Sequence, residues 1–561
     1  MTGIHFLNQY FTEKTLRNFQ SGCIIRPCGE RAAPAALPEF FGENLPTGFP
    51  GRRFLIINSN KSNTACKETP LTFRIVDAPM GIGKSDVLIR LIRRHWSSES
   101  AESRRFIVFV STIRERDLRF MPELNLKTPD THPYNKTILE MIRNGDNIVA
   151  THSLWSIFSD ETLKAFRESK YKYIAFFDEA PPLFRDTVGL GRKLDETAGD
   201  IRFGPEDVKL MQRENMIFVK DGQIRFNNKC NYDKSKSGYK VFNAVKYLTR
   251  SCTLYPYGEN DGEFTSIIAF ARRELFSCFC QCWIFSYLTY DNMLHKYCLL
   301  NHIHMEYYLV DERYIMRTKG GKYVETYPAG IERLVILDGS GFNSDASLSK
   351  RWYADASRDK SRAGLDQLER QCRNAYDYMK KHGVRSKTFM YTVFNAYRHL
   401  LRSDGRHFPT QKRFLPCNTK ATNDYSDCNG VAYLCNRYFD INCTNFLSQR
   451  AEAENRPELK FNDDVYALSE LVQFIWRSNV RRADSSQPVY VYVPSRRMRT
   501  LLQDFQERAR KRKEESSAFR MRVRKHKLTA PMCQEIAKQK AKPKNALRMY
   551  LYMKYFRFAK G

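Results

Sequence analysis

The sequence predicts an α/β protein built on parallel sheets, and three observations carry that expectation. The runs "RFIVFVST" (Arg105 to Thr112), "DNIVATHSL" (Asp146 to Leu154) and "YKYIAFFDEA" (Tyr171 to Ala180) are apolar without alternation and close on polar residues. Strands covered on both faces read this way, and longer segments of helical period separate them. The second observation is "FRIVDAPMGIGKSDVLIRLIRRHW" (Phe73 to Trp96), where an apolar run passes through a Pro/Gly turn into an amphipathic helix. The third is the acidic pair Asp178 and Glu179 at the end of "IAFFDEA". At 561 residues the chain exceeds what one core serves, so several domains are expected.

Residues 1–65 hold "CGERAAPAALPEFFGENLPTGFPGRR", rich in Pro and Gly, and read as a loop-bearing lead-in. Next, "FRIVDA" supplies a strand and "SDVLIRLIRRHW" a helix. Between them "APMGIGKS" fits the phosphate-loop pattern with Ala in place of the first Gly. Pro79, Met80, Gly81, Ile82, Gly83, Lys84 and Ser85 form this loop. Its glycines allow backbone N–H groups to curl around phosphate oxygens, Lys84 supplies positive charge, and the Ser85 hydroxyl suits magnesium. The helix N-terminus that follows favours the same anion. A third of the way along the chain, Asp178 arrives at the carboxyl end of a strand, where ligands gather in open α/β sheets. It can hold the metal with Ser85, while Glu179 orients and deprotonates an attacking water. ATP and Mg2+ are therefore the expected ligands.

Between these two elements "FVSTIRER" and "IVATHSLW" each place hydroxyls at a strand end. Ser111, Thr112, Thr151 and His152 suit a nucleic-acid phosphate track, or else cap the helices that follow. Residues 190–270 read as an insertion. Two later strands qualify as the next functional element, "CWIFSYLTY" with Ser286 and Thr289 and "RLVILDGSG" with Asp338 and Ser340; the first is preferred because "YDNMLHKYCLL" after it reads as a helix. The fifteen cysteines are scattered. In "CFCQC" alternation places Cys278, Cys280 and Cys282 on one face of a strand. Structural zinc sites instead gather thiolates through a turn, so zinc is not expected even with His295, Cys298, His302 and His304 nearby.

Taken together, "APMGIGKS", "FVSTIRER", "IVATHS" and "FFDEA" resemble motifs I, Ia, Ib and II of the superfamily 2, DEAD/DEAH-like helicases, in order and rough spacing. The "APMG-x-GK-[ST]" form is similar to that of viral origin-binding helicases and of phage and prophage helicase-like proteins. "RFLPCNTKATNDYSDCNGVAYLCNRYFDIN" (Arg413 to Asn442) and "YALSELVQFIWRSNVRRADSSQPVYVYVPSRRMRTLL" (Tyr466 to Leu502) resemble motifs V and VI of that group. The resemblance spans roughly residues 70 to 505 motif by motif. It implies two RecA-like lobes over an ATP cleft: lobe 1 at 66–315 with the insertion, lobe 2 at 316–505, and a basic helical tail at 506–561. In motif VI, Gln473, Arg477 and Arg481 stand at i, i+4 and i+8, one stripe of a helix, from which two guanidiniums could reach a γ-phosphate held by Lys84. In motif V the family couples nucleic acid to the cleft, and Thr422, Asn423, Asp424 and Tyr425 hold that place, or form a turn.

Charge agrees with a polyanionic partner: 92 Lys and Arg stand against 62 Asp and Glu, a formal +30. From Glu507 to Lys560, 18 basic residues face 4 Glu, which makes the tail a phosphate-binding candidate or a solvated helix face. No stretch reaches the roughly 18 uninterrupted apolar residues of a membrane span, and the N-terminus lacks a secretion-signal pattern. A cytoplasmic helicase or translocase is the expectation, on DNA more than RNA, in replication or recombination of a phage or mobile element and possible contact with proteins of those processes. The rival is a terminase-like packaging ATPase with a metal-dependent nuclease half, for which Asp338, Asp345 and Asp424 would be needed.

Overall fold

The computed structural model describes residues 70–525, apart from 97–102, 156–157, 189–190, 194–199, 231–238, 261, 312–313, 345, 403–407, 410, 418 and 420–423. The lead-in at 1–65, the tail beyond Lys525, and Thr422 and Asn423 thus lie outside the described residues. By contacts the chain forms two units, and almost everything described belongs to the one at Lys61–Arg512.

The first lobe is a seven-stranded sheet: β1 (Thr72–Asp77), β2 (Arg104–Val110), β3 (Ile148–Thr151), β4 (Lys172–Asp178), β5 (Gln281–Ser286), β6 (His304–Asp311) and β7 (Tyr314–Arg317). Their spatial order is β7-β6-β1-β5-β4-β2-β3. All pairings are parallel except the edge strand β7. The unalternated runs are explained by two cores. Ile107, Phe109, Ala175, Phe177 and Ile284 face one, while Phe106, Val108, Ile174, Phe176 and Phe285 face the other. Successive residues point to opposite sides, so apolar contact on both sides demands an apolar residue at every position.

The second lobe is a four-stranded, all-parallel sheet of β8 (Leu334–Leu337), β9 (Phe389–Thr392), β10 (Gly430–Tyr433) and β11 (Val489–Tyr492), in the order β8-β11-β10-β9. Four helices matter below: α1 (Lys84–Trp96), α2 (Ile441–Ala453), α3 (Asp463–Ile475) and α4 (Arg496–Lys525). The molecule is thus an α/β protein with two RecA-like parallel-sheet lobes. β5 lies within the first sheet and β8 opens the second, which separates the two segments that competed as the third functional strand. Cys278 and Cys280 precede β5, and only Cys282 lies on it, so the three cysteines do not share a strand face. Among the described residues no group of three or more metal-ligating side chains forms a metal site. No helix among them is long and apolar enough to cross a membrane.

The insertion has its own core, including Phe203, Val208, Met211, Ile217, Phe242 and Ile267. Its antiparallel sheet (Phe184–Asp186, Cys252–Asn260, Glu263–Ala271) packs on α2. Phe446 of α2 meets Tyr255 and Phe270 at ring separations of 5.6 and 5.2 Å, and Asn442 donates to Asp186 at 2.6 Å. The helix connecting strands of the second lobe is therefore buried against the first.

A second seam runs through Asp291. Its carboxylate pairs with Lys296, which is 2% exposed, and accepts from Asn462 Nδ2 at 2.9 Å. Asn462 is also the N-cap of α3, its side-chain oxygen accepting from the amides of Asp464 and Val465. Asp291→Ala leaves the Lys296 ammonium buried with only the Glu458 carbonyl as partner. The expected loss is about 3 kcal/mol in denaturant unfolding, with partial recovery in Asp291→Ala/Lys296→Met; an unchanged midpoint would remove the seam from the list of stabilising contacts.

Candidate nucleotide-binding cleft

β1 delivers the glycine-rich turn. Gly81 and Gly83 take left-handed φ values of 83° and 77°, conformations that favour glycine. α1 begins at Lys84, so its first amides face the turn. Asp77, the last residue of β1, is 1% exposed and accepts from the amides of Leu288 and Thr289 and from the Thr289 hydroxyl. Burial pushes its carboxyl above the usual range, against the pull of Thr289 and Lys84. Asp77 thereby fastens the end of the loop strand to the segment after β5. The Thr289 of "CWIFSYLTY" is in the cleft as a strut.

The spatial order of the sheet, with β5 between β1 and β4, sets the acidic pair beside the turn. Ser85 Oγ donates to Asp178 Oδ2 at 2.9 Å. Burial raises the Asp178 carboxyl, with Glu179 adding repulsion, while Ser85 and Lys84 draw it down. Burial likewise lowers the Lys84 ammonium, opposed by Glu179, Asp178 and Asp77. Glu179 has a left-handed φ of 78°, a conformation costing about 1–3 kcal/mol outside glycine, held by the hydrogen bond its backbone N–H donates to the Phe285 carbonyl. A hydroxyl and a carboxylate meet here, and such a pair of oxygen donors fits magnesium.

Ser111, at the end of β2, donates to Glu179 Oε2 at 3.1 Å. Thr112 caps the short helix that follows, its oxygen accepting from the Glu115 amide. His152 Nε2 lies 3.3 Å from the Asp178 carbonyl, and its ring stacks on Phe177. Thr151 closes β3, half-buried. Three of the four residues assigned to a phosphate track thus have partners within the protein, two of them in the acidic pair.

Glu115 was not legible as a site residue. It is half-buried, and burial, followed by repulsion from Asp178 and Glu179, raises its carboxyl to about 7 from 4.5. A carboxyl with a raised folded-state pKa binds its proton more tightly in the native chain than in the unfolded one. Its contribution therefore favours the fold at low pH and is lost as pH rises from about 4.5 through about 7. In metal-free buffer, Glu115→Gln is expected to melt higher than the parent at pH 8 and level with it near pH 4; thermal melts across that range check the sign.

The second lobe contributes Gln473, Arg477 and Arg481, but not as one helical stripe. α3 ends at Ile475 because Trp476 is buried with its indole N–H donating to the Ala329 carbonyl at 3.1 Å, and the Ser478 hydroxyl takes the Ile475 carbonyl. Gln473 is on α3, Arg477 in the turn after it, and Arg481 in the 3-10 turn Asn479–Arg481. Arg333 pins that turn through the carbonyls of Asn479, Val480 and Arg482. The turn rests on the glycine-rich turn after β1: a Cβ at Gly81 would stand 3.6 Å from the Arg481 carbonyl and 3.8 Å from its Cβ. Arg477 is half-buried and its Nη1 has no hydrogen-bond partner. Burial lowers its guanidinium, with Glu179 foremost among the groups opposing this. Burial lowers Arg481 too, and Arg119 adds to that effect. Arg482 points away, paired with Asp427 and Asp484. Asp424 and Tyr425 open a turn ahead of β10.

Residues 332–506 match the family model described as the YonV C-terminal Rossmann-like domain. The chain is 24% identical over 457 residues to the SPbeta prophage-derived uncharacterized protein YonV of Bacillus subtilis (strain 168), covering 78% of this chain and 99% of that protein. Among solved structures, Xpd4 of S. tokodaii aligns at 11% identity with a TM-score of 0.36, over 78% of this chain and 94% of that one.

Proposed function

We propose that this chain is a nucleic-acid-stimulated ATPase of the superfamily 2 type, a helicase or translocase. The single observation that carries the reading is the convergence of three distant segments: the Ser85 hydroxyl bonded to Asp178, with the Arg481 turn of the other lobe seated on Gly81. The amides of Pro79 to Ser85 and the Lys84 ammonium would hold the phosphates of ATP. Ser85 and Asp178 would hold Mg2+, which when bound neutralises phosphate charge. Glu179 orients water and accepts its proton. Arg477 and Arg481 place positive charge where the leaving phosphate gains negative charge. Gln473, on α3 one turn before Arg477, would take part in sensing the nucleotide.

Nucleic acid would run along the strand ends that carry Ser111, Thr112, Thr151 and His152. The prophage origin of the relative supports DNA and a role in replication or recombination of a mobile element. Movement requires two states with different strand affinities, since equal binding in both would shift nothing. The packaging-nuclease reading is not favoured: Asp338, one acid it needs, is tied to Asn343, Gln503 and Arg499. ATP hydrolysis measured in parallel with single-stranded DNA, duplex DNA and RNA tests the reading. Stimulation is expected, greatest with single-stranded DNA; no hydrolysis in any arm would sink it, and manganese-dependent cutting would favour the packaging enzyme.

A further inference from the structure

The two acids of the cleft are each met by a serine hydroxyl, and the two serines come from different elements. Ser85 belongs to the glycine-rich turn and donates to Asp178 Oδ2. Ser111 follows β2, a strand that carries none of the groups assigned to the nucleotide, and donates to Glu179 Oε2 at 3.1 Å. The register of the sheet produces this meeting: Phe109 of β2 stands opposite Phe177 of β4, so two residues further on Ser111 comes level with Glu179. The backbone of Glu179 is already set by its left-handed φ and by the hydrogen bond from its N–H to the Phe285 carbonyl. What Ser111 governs is therefore the side chain.

Ser111 is also within reach of a ligand from outside. It is half-buried, and just beyond Thr112 the chain is open, with Ile113 60% exposed and Arg114 exposed. A polyanion arriving at this turn finds a cation three positions from the hydroxyl. A serine hydroxyl has one proton to donate, however many acceptors surround it. Glu179 and a strand phosphate at this turn thus compete for the same hydrogen bond.

We propose that Ser111 is a positioning residue that couples strand binding to hydrolysis: its hydroxyl holds the Glu179 carboxylate in a resting orientation, and a nucleic-acid phosphate that takes the hydroxyl releases the carboxylate toward the attacking water. This rests on the ATPase reading and adds to it the contact through which the strand is sensed. The restraint weakens Glu179 as a base in two ways. One carboxylate oxygen is occupied as an acceptor, and a hydrogen bond to the charged form stabilises that form against taking up a proton. The proton stays on Ser111 throughout; only the acceptor changes, and no covalent bond forms or breaks. Stimulation by nucleic acid is then the relief of a restraint.

Steady-state ATP hydrolysis by the full chain, with and without saturating single-stranded DNA, tests this in the parent, Ser111→Ala and Ser111→Thr. Without DNA, Ser111→Ala is expected to turn over about tenfold faster than the parent, the scale of one hydrogen bond to a charged group. With DNA it should reach about the parent's rate, so the ratio between the two conditions collapses. Ser111→Thr keeps the hydroxyl and should keep the parent's ratio. Ser111→Cys, close to serine in shape but a weak donor, should release Glu179 as alanine does, and guards against a folding defect in the alanine variant. A parent-like ratio in Ser111→Ala and Ser111→Cys overturns the inference and leaves the ATPase reading intact. An equal fall of both rates, the mark of a serine that only supports the structure, overturns it too. A parent chain that hydrolyses no ATP in either condition removes the reading itself, and this coupling with it.

Discussion

Lys84→Ala is expected to cut ATP hydrolysis by about 10²–10³-fold, the scale seen when one preorganised charge or donor is taken from a developing anion. The ammonium is surrounded by Asp77, Asp178 and Glu179, and burial already presses it toward its neutral form. A ligand bearing concentrated negative charge in the Gly81–Gly83 turn would add to the carboxylates that already oppose this. Losing Lys84 also leaves Asp178 with one fewer opposing charge, so its carboxyl rises further and its grip on a divalent cation weakens. Steady-state turnover and magnesium titration on the same sample read both effects. A variant that turned over like the parent would remove the phosphate-loop assignment and every role built on it.

Arg477→Ala should be as damaging to turnover and far gentler on binding. A guanidinium supplied across a cleft to a transferring phosphoryl group is worth about 10³–10⁵ in rate. Here Nη1 is buried with no hydrogen-bond partner, its charge favoured by Glu179, in a turn whose neighbour Arg481 rests on the glycine-rich turn. A group poised for charge that appears late in the reaction affects kcat more than ground-state affinity. Nucleotide binding should therefore survive within a few-fold while hydrolysis is lost. Arg477→Lys should not rescue it, because an ammonium lacks the planar fork. The fold should tolerate the change, since a desolvated cation is removed without leaving a buried partner bare. Equal losses in affinity and rate would reassign Arg477 to simple nucleotide binding.

Much of this was legible along the chain because strands, glycine turns and strand-end acids are local patterns. The run "IAFFDEA" announces burial on both faces and puts Asp178 and Glu179 at a carboxyl end without reference to anything else. "GIGKS" likewise requires φ values that glycine accepts, and the structure has them at Gly81 and Gly83. The motif VI stripe misled because helical spacing was extended past a boundary that spacing does not encode. Trp476 turns inward to reach Ala329, and Ser478 takes the terminal carbonyl, so Arg477 and Arg481 arrive on turns. Glu115 has no local signature at all; it becomes a site residue only because β2 lies next to β4.

By itself, then, the amino-acid order determined the α/β class, the glycine loop and the acidic pair, since each rests on periodicity or on a residue's own conformational range, while the expectation of two lobes came from the resemblance of its motifs to a known family. Only the tertiary structure decided which strand separates β1 from β4, that Asp77 is held by Thr289, that Asp291 caps the seam through Asn462, and that Arg481 lies on Gly81. Those pairings join residues far apart along the chain. Their energy depends on burial and on geometry set by the packing of whole sheets, and no stretch of sequence carries that information alone.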